Sequence, residues 1–136
     1  MKELEITAGI IKNKNKVLIG QRKFHDKFGG KWEFPGGKLE NSEIPEDCII
    51  RELKEELNID IKEFKHLLSY TKDFSVYKMI IHAFLITEYI GDFQINDHEQ
   101  VIWTDIQNLN DFDFLEADKE IIKKLESEIY KIFWSN

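Results

Sequence analysis

Seven residues, Arg51-Glu52-Leu53-Lys54-Glu55-Glu56-Leu57, hold more carboxylate than a helix face needs. At about 100° per residue, Glu52, Glu55 and Glu56 fall within an arc of roughly 100°, while Leu53 and Leu57 turn toward a core. Glu52 lies three and four residues before the other two, and like charges at these separations repel by a few tenths of a kcal/mol per pair. Arg51 relieves only part of that. One reading is an acidic face left to water, as charge runs usually are. The other is that a cation resolves the repulsion. Mg²⁺ is hard, prefers oxygen, and is commonly held by one or two carboxylates plus substrate phosphates. A partner loop stands just upstream in "KWEFPGGKLENSE", residues 31–43. Gly36 and Gly37 let backbone approach a ligand and offer a carbonyl to a metal, and Pro35 predicts a stiff turn there.

Gly37, five residues, Glu43, seven residues, then Arg51-Glu52-Leu53-Lys54-Glu55-Glu56-Leu57-Asn58-Ile59 resembles the Nudix box, G-x5-E-x7-R-E-U-x-E-E-x-G-U with U aliphatic. The match spans residues 37–59. One fixed position departs: Asn58 stands where the family has Gly, and Asn is the next-best residue for positive φ. Ile44 stands where relatives often have a capping Thr or Ser, a loss of about 1 kcal/mol that leaves chemistry intact. The resemblance implies a single α/β domain over 1–136, an α/β/α sandwich with a mixed β-sheet between helices. It implies hydrolysis of a nucleoside diphosphate linked to a further group. By resemblance, Glu55 and Glu56 are metal ligands and the Gly36 carbonyl completes the inner site. Glu52 is a ligand or the base that activates water. Arg51 and Glu43 form a supporting ion pair that orients helix and loop. The implied cofactor is Mg²⁺, with Mn²⁺ as a possible substitute. No covalent nucleophile is required, and Cys48 falls where a small packed residue is expected.

Beyond the box, "AGIIKNKNKVLIGQRK…GGKWEFPGGKLE" is similar to the MutT-type branch, the nucleoside triphosphate pyrophosphohydrolases. That branch implies a further carboxylate ligand just before the strand ending in Trp103. Asp97 takes that place, with Glu99 as its understudy. His98 is either a surface histidine or a group that binds or relays near phosphate. Arg22 matches a phosphate-contacting Arg, whose planar fork suits phosphate; it is equally a strand-edge charge. Lys38 stands within reach of the same phosphates. Phe34 lines the base pocket, the core, or both. Asp118, after Ala117 at the start of the last helix, takes the place of a base-contacting Asn or Asp. It would accept from the amino group of cytosine or, protonated, donate to a carbonyl of an oxidised guanine; otherwise it only favours the helix dipole. The implied reaction is Mg²⁺-dependent hydrolysis of a nucleoside triphosphate, an oxidised one such as 8-oxo-dGTP or CTP/dCTP, to monophosphate and pyrophosphate, a task of pool sanitation. ADP-ribose, a dinucleoside polyphosphate or a sugar nucleotide is the alternative substrate. A non-catalytic nucleotide sensor is the alternative class, though sensors tend to lose box carboxylates and this chain keeps all of them.

These residues need a scaffold to position them. The 136 residues suit one core, and 42% apolar with 33% charged residues is too apolar for a disordered chain. The net charge of −7 argues against a nucleic-acid polymer as partner. It is uneven: residues 1–38 hold nine Lys/Arg against four Asp/Glu. A basic stretch beside an acidic one suits a small anion held with metal cations, or is solvated surface. No apolar run approaches the ~20 residues of a membrane span. The first residues read as a strand rather than a signal peptide, and a single cysteine excludes an internal disulfide, so a cytoplasmic monomer or homodimer is expected. Strands are predicted at Leu4–Lys12 and Lys16–Lys23, joined as a hairpin by Asn13–Asn15. Others are predicted at Lys31–Phe34, Phe64–Lys72, Tyr77–Glu88 and Gln100–Ile106. A helix is predicted over Ile44–Asn58, with Pro45 at its first turn and Ile49, Leu53 and Leu57 inward. A last helix is predicted from near Glu116, burying Ile121, Ile122, Leu125, Ile129 and Ile132 or Phe133.

Overall fold

The computed structural model describes residues 2–129. Six strands and two helices follow the apolar pattern of the chain: β1 (Lys2–Asn13), β2 (Lys16–Arg22), β3 (Trp32–Glu33), α1 (Pro45–Leu57), β4 (Asp60–Asp73), β5 (Tyr77–Ile90), β6 (His98–Asp105) and α2 (Lys119–Ser127). Two short 3₁₀ helices, Ile106–Asp111 and Glu116–Asp118, lead into α2. Strand β4 starts four residues before the predicted Phe64, because its charged opening "DIKE" pairs at the sheet edge with the end of β5. The last helix opens as 3₁₀ at Glu116 and becomes α-helical at Lys119. Ile129 packs half-buried on the core; Ile132 and Phe133 lie outside the described residues.

The sheet is mixed. β1 runs parallel to β5 over ten residue pairs, Lys2 to Ile11, and β5 is antiparallel to β4. β2 pairs antiparallel with β6 along its length. The predicted hairpin exists only at its tip, where Lys12 pairs with Val17 and Asn13 with Lys16. Beyond that tip β1 and β2 splay apart. The gap is filled by residues 35–39, which lie antiparallel along β1: Gly9 N–H donates to Pro35 O (2.6 Å), Thr7 N–H to Gly37 O (2.8 Å) and Leu39 N–H to Glu5 O (3.0 Å). The stretch predicted as a stiff turn bends at Pro35 and then runs as extended backbone along β1.

Apolar side chains fill both faces. Ile10, Ile19, Ile81 and Leu85 meet Ile121, Ile122 and Leu125 of α2 on one face; Ile11, Leu18, Phe84 and Ile86 meet Ile49, Leu53 and Leu57 of α1 on the other. Adjacent Ile10 and Ile11 serve opposite cores, as strand alternation requires. The result is the expected α/β/α sandwich. No helix among the described residues is long and apolar enough to cross a membrane.

Candidate active site

Where β1 and β2 separate, an open cavity of about 430 Å³ forms. Arg22 and Lys23 from the end of β2 stand on one side, Glu52 and Glu56 of α1 on another. Gly36, Asp97 and His98 complete the part of its wall that the sequence pointed to.

The glycines are fixed by contact rather than by turn geometry. A Cβ on Gly36 would stand 2.1 Å from the Thr7 carbonyl oxygen. A Cβ on Gly37 would stand 2.4 Å from the Glu52 carboxyl carbon. The Pro35 and Gly37 carbonyls point into β1, so alternation turns the Gly36 carbonyl the other way.

Leu53 and Leu57 anchor α1 in the core, and that rotation sends Glu56 inward, only 4% exposed. Burial pushes its carboxyl up to about 10, helped by a hydrogen bond to the Glu52 side chain and by the charges of Glu52, Glu33 and Asp97. Its Oε2 is buried without a hydrogen-bond partner. Glu55 turns the other way. Its side chain is 56% exposed, lies outside the cavity wall, and meets Arg51 Nη1 at 3.3 Å. Arg51 grips Glu43 as a fork, Nε to Oε2 at 2.8 Å and Nη2 to Oε1 at 2.9 Å, and donates to Glu52 Oε1 at 2.9 Å. The Arg51 guanidinium holds the Glu43 carboxyl down to about 2. Arg51 Nη2 also donates to the Lys38 carbonyl (3.1 Å), and the Lys38 side chain is not part of the cavity wall.

Asp97 arrives by a route that helix periodicity does not reveal. The last carbonyls of a helix lack intrahelical partners. Here Asn96 Nδ2 donates to Glu55 O (2.8 Å), Asn96 N–H to Glu56 O (3.1 Å) and Gln94 N–H to Leu57 O (3.0 Å). This clasp sets Asp97 beside Glu56. Glu99, unpaired at a bulge where the register of β6 on β2 shifts, is exposed and does not line the cavity.

His98 is not a surface residue: it is 5% exposed, and its Nε2 lies 2.8 Å from Glu33 Oε2 and 3.9 Å from Glu56 Oε1. Glu33 also takes Arg22 Nη1 on Oε1 at 3.1 Å. It therefore links a basic residue at the mouth to an imidazole at the floor. Sequence reasoning missed Glu33, although alternation in β3 separates it from Trp32 and Phe34. Phe34 is core, packed on Phe114. Its N–H donates to Asp118 Oδ2 at 2.9 Å, so Asp118 is buried behind it and lies off the cavity wall.

Among the described residues, no three His, Cys, Asp or Glu side chains converge tightly enough to hold an ion alone. The donors do suit a hard cation shared with a phosphate: two glutamates, one with an orphaned buried oxygen, a nearby aspartate and a backbone carbonyl. Cys48 is fully buried, its thiol pushed up to about 11 by burial, and plays no part at the cavity.

The model of the NUDIX domain matches residues 3–125. An 8-oxo-dGTP diphosphatase of Proteus vulgaris is 45% identical over 89 residues, 65% of this chain and 80% of its own length. A CTP pyrophosphohydrolase of Escherichia coli is 29% identical over 90% of this chain and 91% of its own. The solved MutT from Aliivibrio salmonicida and Vibrio cholerae superposes with a TM-score of 0.81 at 32% identity, covering 93% of this chain and 99% of that one.

Proposed function

This chain belongs to the NUDIX family, a hydrolase of phosphoric anhydride bonds in nucleotides, and we propose that it cleaves 8-oxo-dGTP to the monophosphate and pyrophosphate. The observation that carries this reading is one cavity with Arg22 and Lys23 facing Glu52 and Glu56, whose buried Oε2 lacks a partner. Arg22 and Lys23 bind the phosphates, and Glu33 fixes the Arg22 fork. The Gly36 carbonyl, Glu56 and Asp97 would be the oxygen donors for Mg²⁺, or Mn²⁺ in its place, which leaves Glu52 as the base. When bound, that ion lowers the pKa of water and offsets phosphate charge. Glu52, steadied by Arg51, takes the proton of the attacking water. Phosphoryl transfer needs mostly such positioning and charge.

Base choice is assigned to Asp118 by its place after Ala117 at the start of the last helix; it lies buried behind Phe34 and off the cavity wall, so a base meets it only where the Phe34 segment gives way. Its burial pushes the carboxyl up to about 8. A neutral carboxyl offers a proton to a base carbonyl, whereas an ionised one only accepts. That favours an oxidised guanine over cytosine. The decisive experiment is pyrophosphate release with Mg²⁺ across 8-oxo-dGTP, dGTP, CTP, dCTP and ADP-ribose, with EDTA and Glu56→Gln as controls. Release from 8-oxo-dGTP, lost in both controls, is the expected result. Release mainly from CTP transfers the assignment to cytidine nucleotides. AMP from ADP-ribose, without pyrophosphate from any triphosphate, removes the triphosphate assignment.

A further inference from the structure

The α1 face of the sheet carries a second polar array. Four side chains from three adjacent strands are joined end to end. Glu5 Oε2 meets His82 Nε2 at 2.6 Å, His82 Nδ1 meets Ser69 Oγ at 2.7 Å, and Ser69 Oγ meets His66 Nε2 at 2.7 Å. None of the four lines the cavity, and none has a part in the hydrolysis proposed above.

The backbone is shaped to bring them together. In a regular strand His66 and Ser69, three apart, would point to opposite faces. The register of β4 on β5 shifts between His66 and Leu68, and this bulge turns both residues to the face where His82 stands directly opposite Ser69. Re-aiming a side chain is a recurrent use of bulges. The His66 ring is set edge-on against Phe84, centroids 5.8 Å apart.

The protons can be assigned. An ionised carboxylate only accepts, so neutral His82 carries its proton on Nε2 toward Glu5. Its Nδ1 lone pair is then aimed at Ser69. An imidazole with a carboxylate on its outer nitrogen and a lone pair on the inner one is the arrangement found on metal-binding histidines. Ser69 has one proton, which it donates to His82 Nδ1, so His66 Nε2–H donates to Ser69 Oγ. An ion in place of the hydroxyl selects the other His66 tautomer, protonated on Nδ1, and turns a second lone pair to the same point.

We propose that His66 Nε2 and His82 Nδ1 bind a borderline divalent transition metal, Zn²⁺ or Cu²⁺, in the position of the Ser69 hydroxyl. Glu5 orients His82, and water fills the remaining coordination positions, since no third His, Cys, Asp or Glu joins the group among the described residues. Imidazole selects such ions, whereas Mg²⁺ demands oxygen. The chain then has two cation sites sorted by donor type, an oxygen site in the cavity and a nitrogen site on the sheet face.

The test is calorimetric titration of the full chain with Zn²⁺ in excess Mg²⁺, paired with electron paramagnetic resonance of the Cu²⁺ form to count coordinated nitrogens. The expected result is one ion per chain with two imidazole nitrogens. His66 is exposed, so His66→Ala should fold; it should lose one nitrogen and weaken binding by roughly tenfold or more, with Glu5→Gln weakening it by roughly tenfold. Two results overturn the proposal. One is no Zn²⁺ uptake below millimolar concentration. The other is unchanged affinity and nitrogen count in His66→Ala, which returns the ion to the cavity and its His98. Neither reading depends on hydrolytic activity.

Discussion

Glu55 and Glu56 are neighbours in the chain and occupy opposite environments. Glu56 is buried with an orphaned oxygen, while Glu55 is exposed and paired with Arg51. Glu56→Gln should lower kcat by roughly 10³-fold, about the 4 kcal/mol that a lost electrostatic contact in a transition state is worth. Glu55→Gln should cost only about tenfold, the low end for a residue acting through its neighbours. Single-turnover rates separate the two, and equal losses would place both carboxylates on the ion. Gly36 and Gly37 make a second contrast. Alanine at Gly36 drives a methyl into the Thr7 carbonyl, so overpacking should cost about 1–3 kcal/mol of stability. Alanine at Gly37 meets only the movable end of Glu52. It should leave the urea midpoint nearly unchanged and cut kcat by roughly 10²-fold, the usual cost of a misplaced group. The sequence identified both glycines but not their reason, because strand pairing by residues 35–39 depends on a β1 edge that only the tertiary fold leaves open.

Helix α1 was legible because its signals are local: the Ile49–Leu53–Leu57 stripe, Pro45 at the first turn and Asn58 at the end. Asn58 adopts φ 61°, ψ 33°, and its N–H closes on Lys54 O. A β-carbon in this left-handed conformation costs about 1–2 kcal/mol unless the residue is Asn, Asp or Gly. Asn58→Ala should therefore lose about 1 kcal/mol in urea denaturation. Asn58→Gly should restore the backbone but not the bond from Asn58 Nδ2 to Asp92 O at 3.2 Å. A loss in Asn58→Gly as large as in Asn58→Ala would assign the stability to that bond instead. The rest of the helix terminus was not legible. Its carbonyls are met by Gln94 and Asn96, nearly forty residues on, and this clasp is what carries Asp97 to Glu56. Periodicity reports which side of an element is apolar; it does not report which distant loop supplies the missing donors. Glu33 escaped for the same reason, since both its partners, Arg22 and His98, are set by strand pairing.

At the scale of the molecule, apolar patterning yielded the layers but not the partners of β1. A hairpin reading was natural for two strands around a short turn, yet β1 gives most of its edge to β5, parallel and some seventy residues away. That exchange opens the gap that residues 35–39 fill, with the cavity beside them, and leaves the end of β3 to be tied down by other means. The tie is Asp118, whose Oδ2 accepts the Phe34 N–H across 84 residues at the start of α2. Burial pushes its carboxyl up to about 8; the Phe34 bond and Arg22 pull it down and Glu33 pushes it up. The unfolded chain holds Asp near its ordinary value of about 3.9. Between about pH 4 and pH 8 the folded state thus keeps a proton that the unfolded state has lost, and stability falls as pH rises. The contribution is complete below about pH 4 and gone above about pH 8. Asp118→Asn cannot titrate, and its amide oxygen can accept the same N–H. Urea denaturation of both proteins at pH 5, 6.5 and 8 should show the variant gaining steadily on the native chain, by on the order of a few kcal/mol across the window. A constant difference would mean that Asp118 is ionised throughout. It could then only accept hydrogen bonds, and the assignment of an oxidised guanine would pass to cytosine.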